Sequence, residues 1–435
     1  MTPPTRNVLQ RGLLRLAQAA IVIMAFVALG NLAGSEWGPL KKLVHFPAHW
    51  APLALVTALT LAVMKRWKWA AAASVLAVGF GAQVATLWLP PSQDTTVTTA
   101  AGAPPPATLT VLSFNVFRGN KRHKEVLDAL QKEQADVVYL TEMSPEWFCG
   151  LKPLEKDYPH RVTKKNSSDW LLSKHPLENA EILSMTYASA RSALADSPGN
   201  ATLPEEWSST WHNDDLVVGT VIFHGTRIRL AALHPPIPSN ASRVIQQRAC
   251  AAIYARALNS DPKADAKLLM GDFNTTSFSP TFRSILSRTG LSDTAQGYGY
   301  LPTWGPRLPR EPILPWLGIP IDHILASENV SILHYETGPP LGSDHLWVKV
   351  RMTIGASLAP QSKSKSLSHA ELNPAQTYSP TQEAPLLASN PPATDPARSS
   401  TLASASQIPA GTLPPRPDHT AVRQSSSTRP DRLEN

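Results

Sequence analysis

Three apolar runs fill most of the first 89 residues and carry almost no charge, which leaves that stretch of chain few ways to fold. They extend from about Leu14 to Ala33 (including AIVIMAFVALG), from about Trp50 to Met64 and from about Trp69 to Leu89. About 20 apolar residues rising 1.5 Å each match a bilayer core of about 30 Å, so the first and third have the length of a transmembrane helix and the second, at about 15, is short for one. A cleavable signal peptide would account for the first run and leave the other two unexplained. A helix lying on a soluble core would need a polar face, and these runs offer almost no charge on any face. Residues 1–89 are therefore read as a membrane anchor of about three transmembrane helices. Arg6, Arg11 and Arg15 precede the first run, and Lys65, Arg66 and Lys68 separate the second from the third. Only Lys41 and Lys42, offset by Glu36, separate the first from the second. By the bias of cations toward the cytosol, the N-terminus is cytosolic and three spans deliver the rest of the chain to the outer face of the inner or plasma membrane. No Asp, Glu, Lys or Arg lies in mid-span, as transport would require, so anchoring is the expected task.

The remainder divides by composition. Residues 90–107 (PPSQDTTVTTAAGAPPPA) form a linker rich in Pro, Thr and Ala. From 355 onward the chain is rich in Ser, Pro, Thr and Ala, with Tyr378 as the one aromatic. It cannot bury enough apolar surface to offset the entropy of ordering and reads as disordered. The window 108–354 holds the folded domain. Although the chain carries a net charge of +7, Lys plus Arg outnumber Asp plus Glu by 8 to 2 before residue 108 and balance at 25 to 25 within 108–354. The basic excess flanks the apolar runs, which weakens the argument from high pI to duplex DNA. Two cysteines, Cys149 and Cys250, are too few for a disulfide framework or a zinc cage and read as two buried thiols.

Within 108–354, β-branched runs alternate with helical stretches. LTVLSFNV (109–116), DVVYLTE (136–142), RIRLAALH (227–234), KLLMGDFN (267–274), IDHILAS (321–327) and HLWVKVRM (345–352) read as strands, and 123–134 and 242–258 as helices. Polar residues recur at the ends of these strands: Asn115, Glu142, His234, Asp272 with Asn274, Asp322, and Asp344 with His345. Carboxylates, amides and imidazoles spread over several strands suit a hard divalent cation and the cleavage of a phosphoester. They do not suit a serine hydrolase, and neither a Gly-x-Ser-x-Gly elbow nor a Gly-x4-Gly-Lys-Ser/Thr loop is present. The stretch 186–215 reads as an elaborated loop, either a substrate-facing flap or a tolerated surface insertion.

In this order, strand-Asn, strand-Glu, strand-His, Gly-Asp-Phe-Asn, Ile-Asp-His and Ser-Asp-His, the set resembles the endonuclease/exonuclease/phosphatase superfamily, which includes deoxyribonucleases, abasic-site endonucleases, neutral sphingomyelinases and inositol polyphosphate phosphatases. LLSKHPL (171–177) and Pro302-Thr303-Trp304 match further elements of it. The resemblance implies an α+β, four-layer α/β/β/α sandwich of two packed mixed sheets flanked by helices. It implies magnesium or manganese on Glu142, with Asn115 and Asp344 completing or supporting the metal site. Asp272 would orient or deprotonate the attacking water, Asn274 would hold a phosphate oxygen, and His234 would donate to the phosphate. His345 would contact the phosphate, with Asp322 fixing its tautomer. No carboxylate partner for His234 is identified between 160 and 170. His323 alternates to the other face of its strand and is left out of the site.

The expected function is a membrane-anchored, metal-dependent phosphoesterase that hydrolyses a phosphodiester or phosphomonoester with activated water. The substrate would be nucleic acid or a phospholipid headgroup. The alternatives are a non-catalytic membrane-bound binding module that retains the fold, or an envelope protein whose tail does the work. The full set of ligand positions argues against the first and the plain composition of the tail against the second.

Overall fold

The strand β1 (Thr108–Asn115) is buried on both faces. A strand of that kind belongs in the middle of a sheet with a layer packed on each side. The computed structural model provides this arrangement and describes residues 3–32, 38–90, 107–164, 167–197, 202–306 and 317–355. The expected linker and tail lie outside these residues, except at their edges.

Ahead of the window 108–354 run three helices, α1 (Pro3–Leu32), α2 (Pro47–Val63) and α3 (Trp67–Ala85). The window then contains α4 (His123–Glu133), β2 (Val137–Thr141), α5 (Pro145–Gly150), α6 (Leu154–Asp157), β3 (His160–Val162), β4 (Trp170–Ser173) and β5 (Leu177–Met185). It continues through α7 (Tyr187–Ala195), β6 (Asp214–Phe223), β7 (Thr226–Leu233), α8 (Ala241–Asn259), β8 (Ala266–Asp272) and α9 (Pro280–Thr289). It ends with β9 (Ser292–Asp293), β10 (Asp322–Ala326), β11 (Val330–Thr337) and β12 (Val348–Ile354).

Two six-stranded sheets result, with orders β11-β12-β1-β2-β4-β3 and β5-β6-β7-β8-β10-β9. At the centre of each, one parallel pair (β1 with β2, β7 with β8) sits among antiparallel neighbours. Successive side chains on a strand point to opposite faces, and the core divides accordingly. Leu109, Val111, Val137 and Tyr139 from the first sheet meet Ile228, Leu230, Leu268, Met270 and Ile324 from the second in one apolar layer. Leu112, Phe114, Val138 and Leu140 point the other way, onto Val126, Leu130 and Trp147 of α4 and α5. Ala231, Leu233, Leu269 and Leu325 likewise face Ala251, Tyr254 and Phe282 of α8 and α9. Three apolar layers separate four layers of structure, so the expected α/β/β/α sandwich is the fold.

The starts of α8 and α9 have a physical reason. Asn240 and Ser279 accept from the backbone N–H of Arg243 and Phe282 at the starts of α8 and α9, which satisfies donors that a helix leaves orphaned. Gly290 ends α9 in the left-handed region at φ +67°. One glycine is fixed by space. A Cβ on Gly271, where φ is +141°, would lie 1.9 Å from the carbonyl oxygen of Leu233. Only glycine allows β7 and β8 to approach so closely.

α1, α2 and α3 pack through Met24, Ala54, Leu61, Ala73 and Phe80. Of the three expected spans, two helices, Gln10–Leu32 and Trp67–Trp88, are long and apolar enough to cross a membrane, and α2 is a shorter apolar helix of 17 residues. The helix bundle also docks on the sandwich. Arg283 of α9 donates to the carbonyl and side-chain oxygens of Asn31 at 3.1 Å, and the N–H groups of Gly297 and Gly299 both donate to the carbonyl of Leu87.

Two cysteines read as buried thiols separate here: both are free, Cys250 is buried and Cys149 is exposed on short α5, whose apolar side is taken up by Trp147. The steric limit at Gly271 yields a prediction. Gly271→Ala should destabilise the protein by about 2 kcal/mol or more, because both the backbone conformation and the strand contact must give. Chemical unfolding checks this; an unshifted midpoint would contradict the described contact.

Candidate active site

The same parity that builds the central layer builds the site. Continued along β1, β7, β8 and β10, the inward-facing positions end in Asn115, His234, Asp272 and Asp322. Each is the polar residue that terminates an apolar run. In β8 and β10 the antiparallel register sets Asp272 directly opposite Asp322. His323, one position on, faces outward to Phe273 and Phe282 and contacts the carbonyl of Thr275 at 3.0 Å, as alternation requires.

Asn115 links the two sheets. Its amide nitrogen donates to Glu142 Oε1 at 2.9 Å and to Asp272 Oδ2 at 3.0 Å, and lies 3.5 Å from His345 Nε2. Its oxygen accepts from the backbone of Phe117. With two carboxylates on one side, the nitrogen must face them, so Asn115 presents a donor to the site. A donor of this kind can position the Glu142 carboxylate but cannot itself ligate a cation. Glu142 follows β2 at φ +58°, and Asn274 follows β8 at φ +50°. Both are left-handed conformations that non-glycine residues adopt at a cost. Asn274 is held by its own N–H to Asp272 Oδ1 and by its side chain to the carbonyl of Pro235.

His345 Nδ1 lies 2.8 Å from Asp322 Oδ2, and its Nε2 is 3.6 Å from Asp272 Oδ2. Burial alone would disfavour the imidazolium, but Asp322 and Asp272 outweigh it and push the ring up to about 10. His234 Nε2 is 3.4 Å from Asp272 Oδ2 and 3.8 Å from Glu142 Oε1. Burial again opposes the charge, and these carboxylates raise the ring to about 9. Burial works against the Asp272 carboxylate too, but the two imidazolium rings hold it below the usual carboxylate range.

The Thr-Trp element is a clamp for these groups. Thr303 Oγ1 accepts from the N–H of both Ile321 and Asp322 at 3.1 Å. Trp304 bridges to Ile319 and to His345 and donates from Nε1 toward Asp344 Oδ2 at 3.4 Å. Ser343 donates to the carbonyl of Asn115 at 2.7 Å and accepts from the N–H of His345. The Ser-Asp-His turn is thereby tied to the end of β1.

A hard divalent cation wants carboxylate oxygens and keeps several waters. Asp344 Oδ1 is buried without a hydrogen-bond partner, the signature of an atom awaiting a ligand. The Glu142 side chain is 30% exposed, so its oxygens reach the cleft. This pair fits such a cation. Asp272, Asp322 and His345 also offer ligand atoms within 4.8 Å of one another. There Asp322 Oδ2 is engaged by the imidazole, while its Oδ1, like that of Asp344, is buried without a partner.

All eight expected site residues gather around one cleft of about 770 Å³, though Asn115 and Asp322 stand just behind its lining. The sequence reading missed several others. Asp169, buried in front of β4, accepts from Tyr139 and Thr141 at 2.8 and 2.7 Å and favours the charge on His234. It lies between 160 and 170, where no partner for His234 was identified, and bears on that ring through its charge, after Asp272 and Glu142; its signal was a polar Ser-Ser-Asp run abutting an apolar strand. Asp214 opens β6 on the cleft wall, where burial raises it to about 7 against the pull of His234. The stretch 186–215 is therefore mixed: α7 packs into the outer core, and His212 to Asp215 face the cleft.

Comparison with known proteins gives the class. The Endonuclease/Exonuclease/phosphatase family matches residues 112–345, more than half of the chain. The chain belongs to this family, whose members are usually metal-dependent hydrolases of phosphoester bonds. Among solved structures it is similar to an endonuclease/exonuclease/phosphatase from Beutenbergia cavernae, at 18% identity over 57% of this chain and 72% of that one, with a TM-score of 0.42. A family protein from Bacteroides thetaiotaomicron gives 16% identity over 58% and 99%, with a TM-score of 0.44. Sphingomyelinase C from Streptomyces griseocarneus gives 17% identity over 56% and 99%, with a TM-score of 0.39. No curated protein matches the chain.

The clamp can be tested by itself. Thr303→Val removes one buried acceptor from two backbone donors and should cost about 2 kcal/mol of stability, while Thr303→Ser should restore most of it. Unfolding midpoints of the two variants check this, and equal midpoints would show that the hydroxyl does not hold the turn.

Proposed function

We propose that this protein is a membrane-anchored phosphoesterase that uses magnesium or manganese. One observation carries the reading: a carboxylate with a buried, unpartnered oxygen (Asp344) and a cleft-facing carboxylate (Glu142) share a single cleft with Asp272 and the His345–Asp322 pair. Glu142 and Asp344 would hold the cation, with Asn115 positioning Glu142. The cation, when bound, offsets charge on the phosphate. Asp272, kept ionised by two imidazolium rings, orients the attacking water and takes its proton. The water oxygen bonds to phosphorus as the ester P–O bond breaks, and the departing alkoxide takes up a proton from solvent. His345, fixed by Asp322, and His234 stabilise the anionic phosphorus centre, and Asn274 aligns one of its oxygens.

Chelation should abolish hydrolysis of a soluble diester, and added magnesium or manganese should restore it. Glu142→Gln should lower turnover at least about tenfold and shift the metal concentration required. Full turnover by metal-free protein would overturn the mechanism.

The anchor supports membrane attachment. Leu29, Leu55, Leu59, Val63, Val75 and Val78 are exposed on the outside of the helix bundle, an apolar patch that in water would need a cover. Arg11 and Arg15 flank one end of α1, and Lys65 and Arg66 lie in the α2–α3 turn, whereas the cleft domain docks where α1 and α3 finish. The cations thus favour a cleft domain outside the cytosol. A reporter active only outside the cytosol should work when fused after Pro90 and fail when fused at Lys65; the reverse pattern would place the domain in the cytosol.

A further inference from the structure

The cleft is not built from the sandwich alone. Lys42, His45 and Phe46 line it together with Glu142, Asn274 and His345. These three belong to the connection between α1 and α2, part of which is a 3-10 helix (Gly38–His45). The connection is held against the catalytic turn: His45 Nδ1 is 3.0 Å from Thr276 Oγ1, two residues after Asn274. Arg283 pins the preceding end of α1, and the Leu87 carbonyl pins the end of α3. α1 finishes at Leu32 and α2 begins at Pro47. If these helices cross a bilayer, residues 42–46 lie at its surface, because helix ends mark the edge of the hydrocarbon core. A wall of the cleft is then part of the membrane interface.

That wall has the chemistry of an interfacial substrate site. Lys42 is exposed and supplies a cation to a lining otherwise rich in carboxylates, with Arg118 on the side of the sandwich. Phe46 adds an aromatic ring, and Ile237 and Pro238 add apolar surface on the β7–α8 loop, where Ile237 is 63% exposed. Ile237 leaves most of its side chain uncovered at the rim of the cleft. Against a lipid's glycerol or acyl region it would bury its surface.

We propose that residues 42–46 of the α1–α2 connection are a working wall of the active site, and that Lys42 and Phe46, with Ile237 on the same cleft, recognise the phosphoester headgroup of a lipid seated in the same bilayer as the anchor. This rests on the phosphoesterase reading above and narrows it to one substrate class. A lipid reaches this cleft by lateral diffusion, with its phosphate rising past Lys42 toward Asp272 and His345 while its apolar part stays in the membrane. A soluble ester or a nucleic acid gains nothing from the apolar rim.

The test uses the full chain reconstituted in vesicles of phosphatidylcholine, phosphatidylethanolamine and phosphatidylglycerol with magnesium. Release of phosphorylated headgroup or phosphate is compared with turnover of bis(p-nitrophenyl) phosphate and of an oligonucleotide. The expected result is hydrolysis of vesicle lipid. Lys42→Ala should lower the ratio of lipid to soluble-diester kcat/KM about tenfold, the effect of losing a hydrogen bond to a charged group, mainly through KM. Lys42→Arg should restore it. Ile237→Ser should lower the same ratio without touching the anchor. Turnover of the soluble diester or the oligonucleotide with vesicle lipid left intact would overturn this inference and leave the phosphoesterase reading standing. An unchanged ratio in both variants would overturn it as well. Inertness toward all three substrates would remove the phosphoesterase reading, and this inference with it.

Discussion

One amide joins the halves of the site. Asn115, at the end of β1, donates to Glu142 on its own sheet and to Asp272 on the other. The two sheets meet through apolar side chains whose contacts are non-directional, and such a layer fixes separation better than sliding. A pair of hydrogen bonds from one rigid amide to two carboxylates sets the alignment. Ser343 reinforces it by binding the carbonyl of the same residue. Together with the His345–Asp322 pair, that link gives the groups from six strands one geometry.

The site also has to keep charge where charge is expensive. Asp272 is 1% exposed and Asp322 is fully buried, and an unpaired buried charge costs about 3–5 kcal/mol. The structure offsets this by stacking opposite charges in a row, Asp322 to His345 to Asp272 to His234, each within 3.6 Å of the next. The arrangement sets each carboxylate against an imidazole and orients each ring before any substrate arrives. Preorganisation of this kind is what lets fixed charges act on a transition state without rearranging.

Much of this was legible in the sequence because it follows from a period of two. Where an apolar alternating run ends in Asn, His or Asp, the parity of the run says which layer that residue faces; it placed His323 outside and Asp322 inside. The central strands of both sheets could be read for the same reason. β5 could not, because it is an edge strand with Glu178 and Glu181 on a mostly exposed surface, and no apolar run announces it. Asp169 was hidden because its partners, Tyr139 and Thr141, come from a strand about 30 residues earlier. The role of Lys42 and His45 was out of reach for a deeper reason. Their stretch was read as a tether, and nothing in its composition says that a tether folds back to form a wall of the cleft. Four layers came from the family resemblance, since periodicity alone does not count sheets.

The bridge from Trp304 to Ile319 and His345 guards a register. Thr303 holds the start of β10 from the same point, through the N–H groups of Ile321 and Asp322. In β10 a shift of a single residue would exchange Asp322 for His323 and turn the dyad toward α9. The clamp therefore acts as a stop for the strand and decides which of two neighbouring residues meets His345.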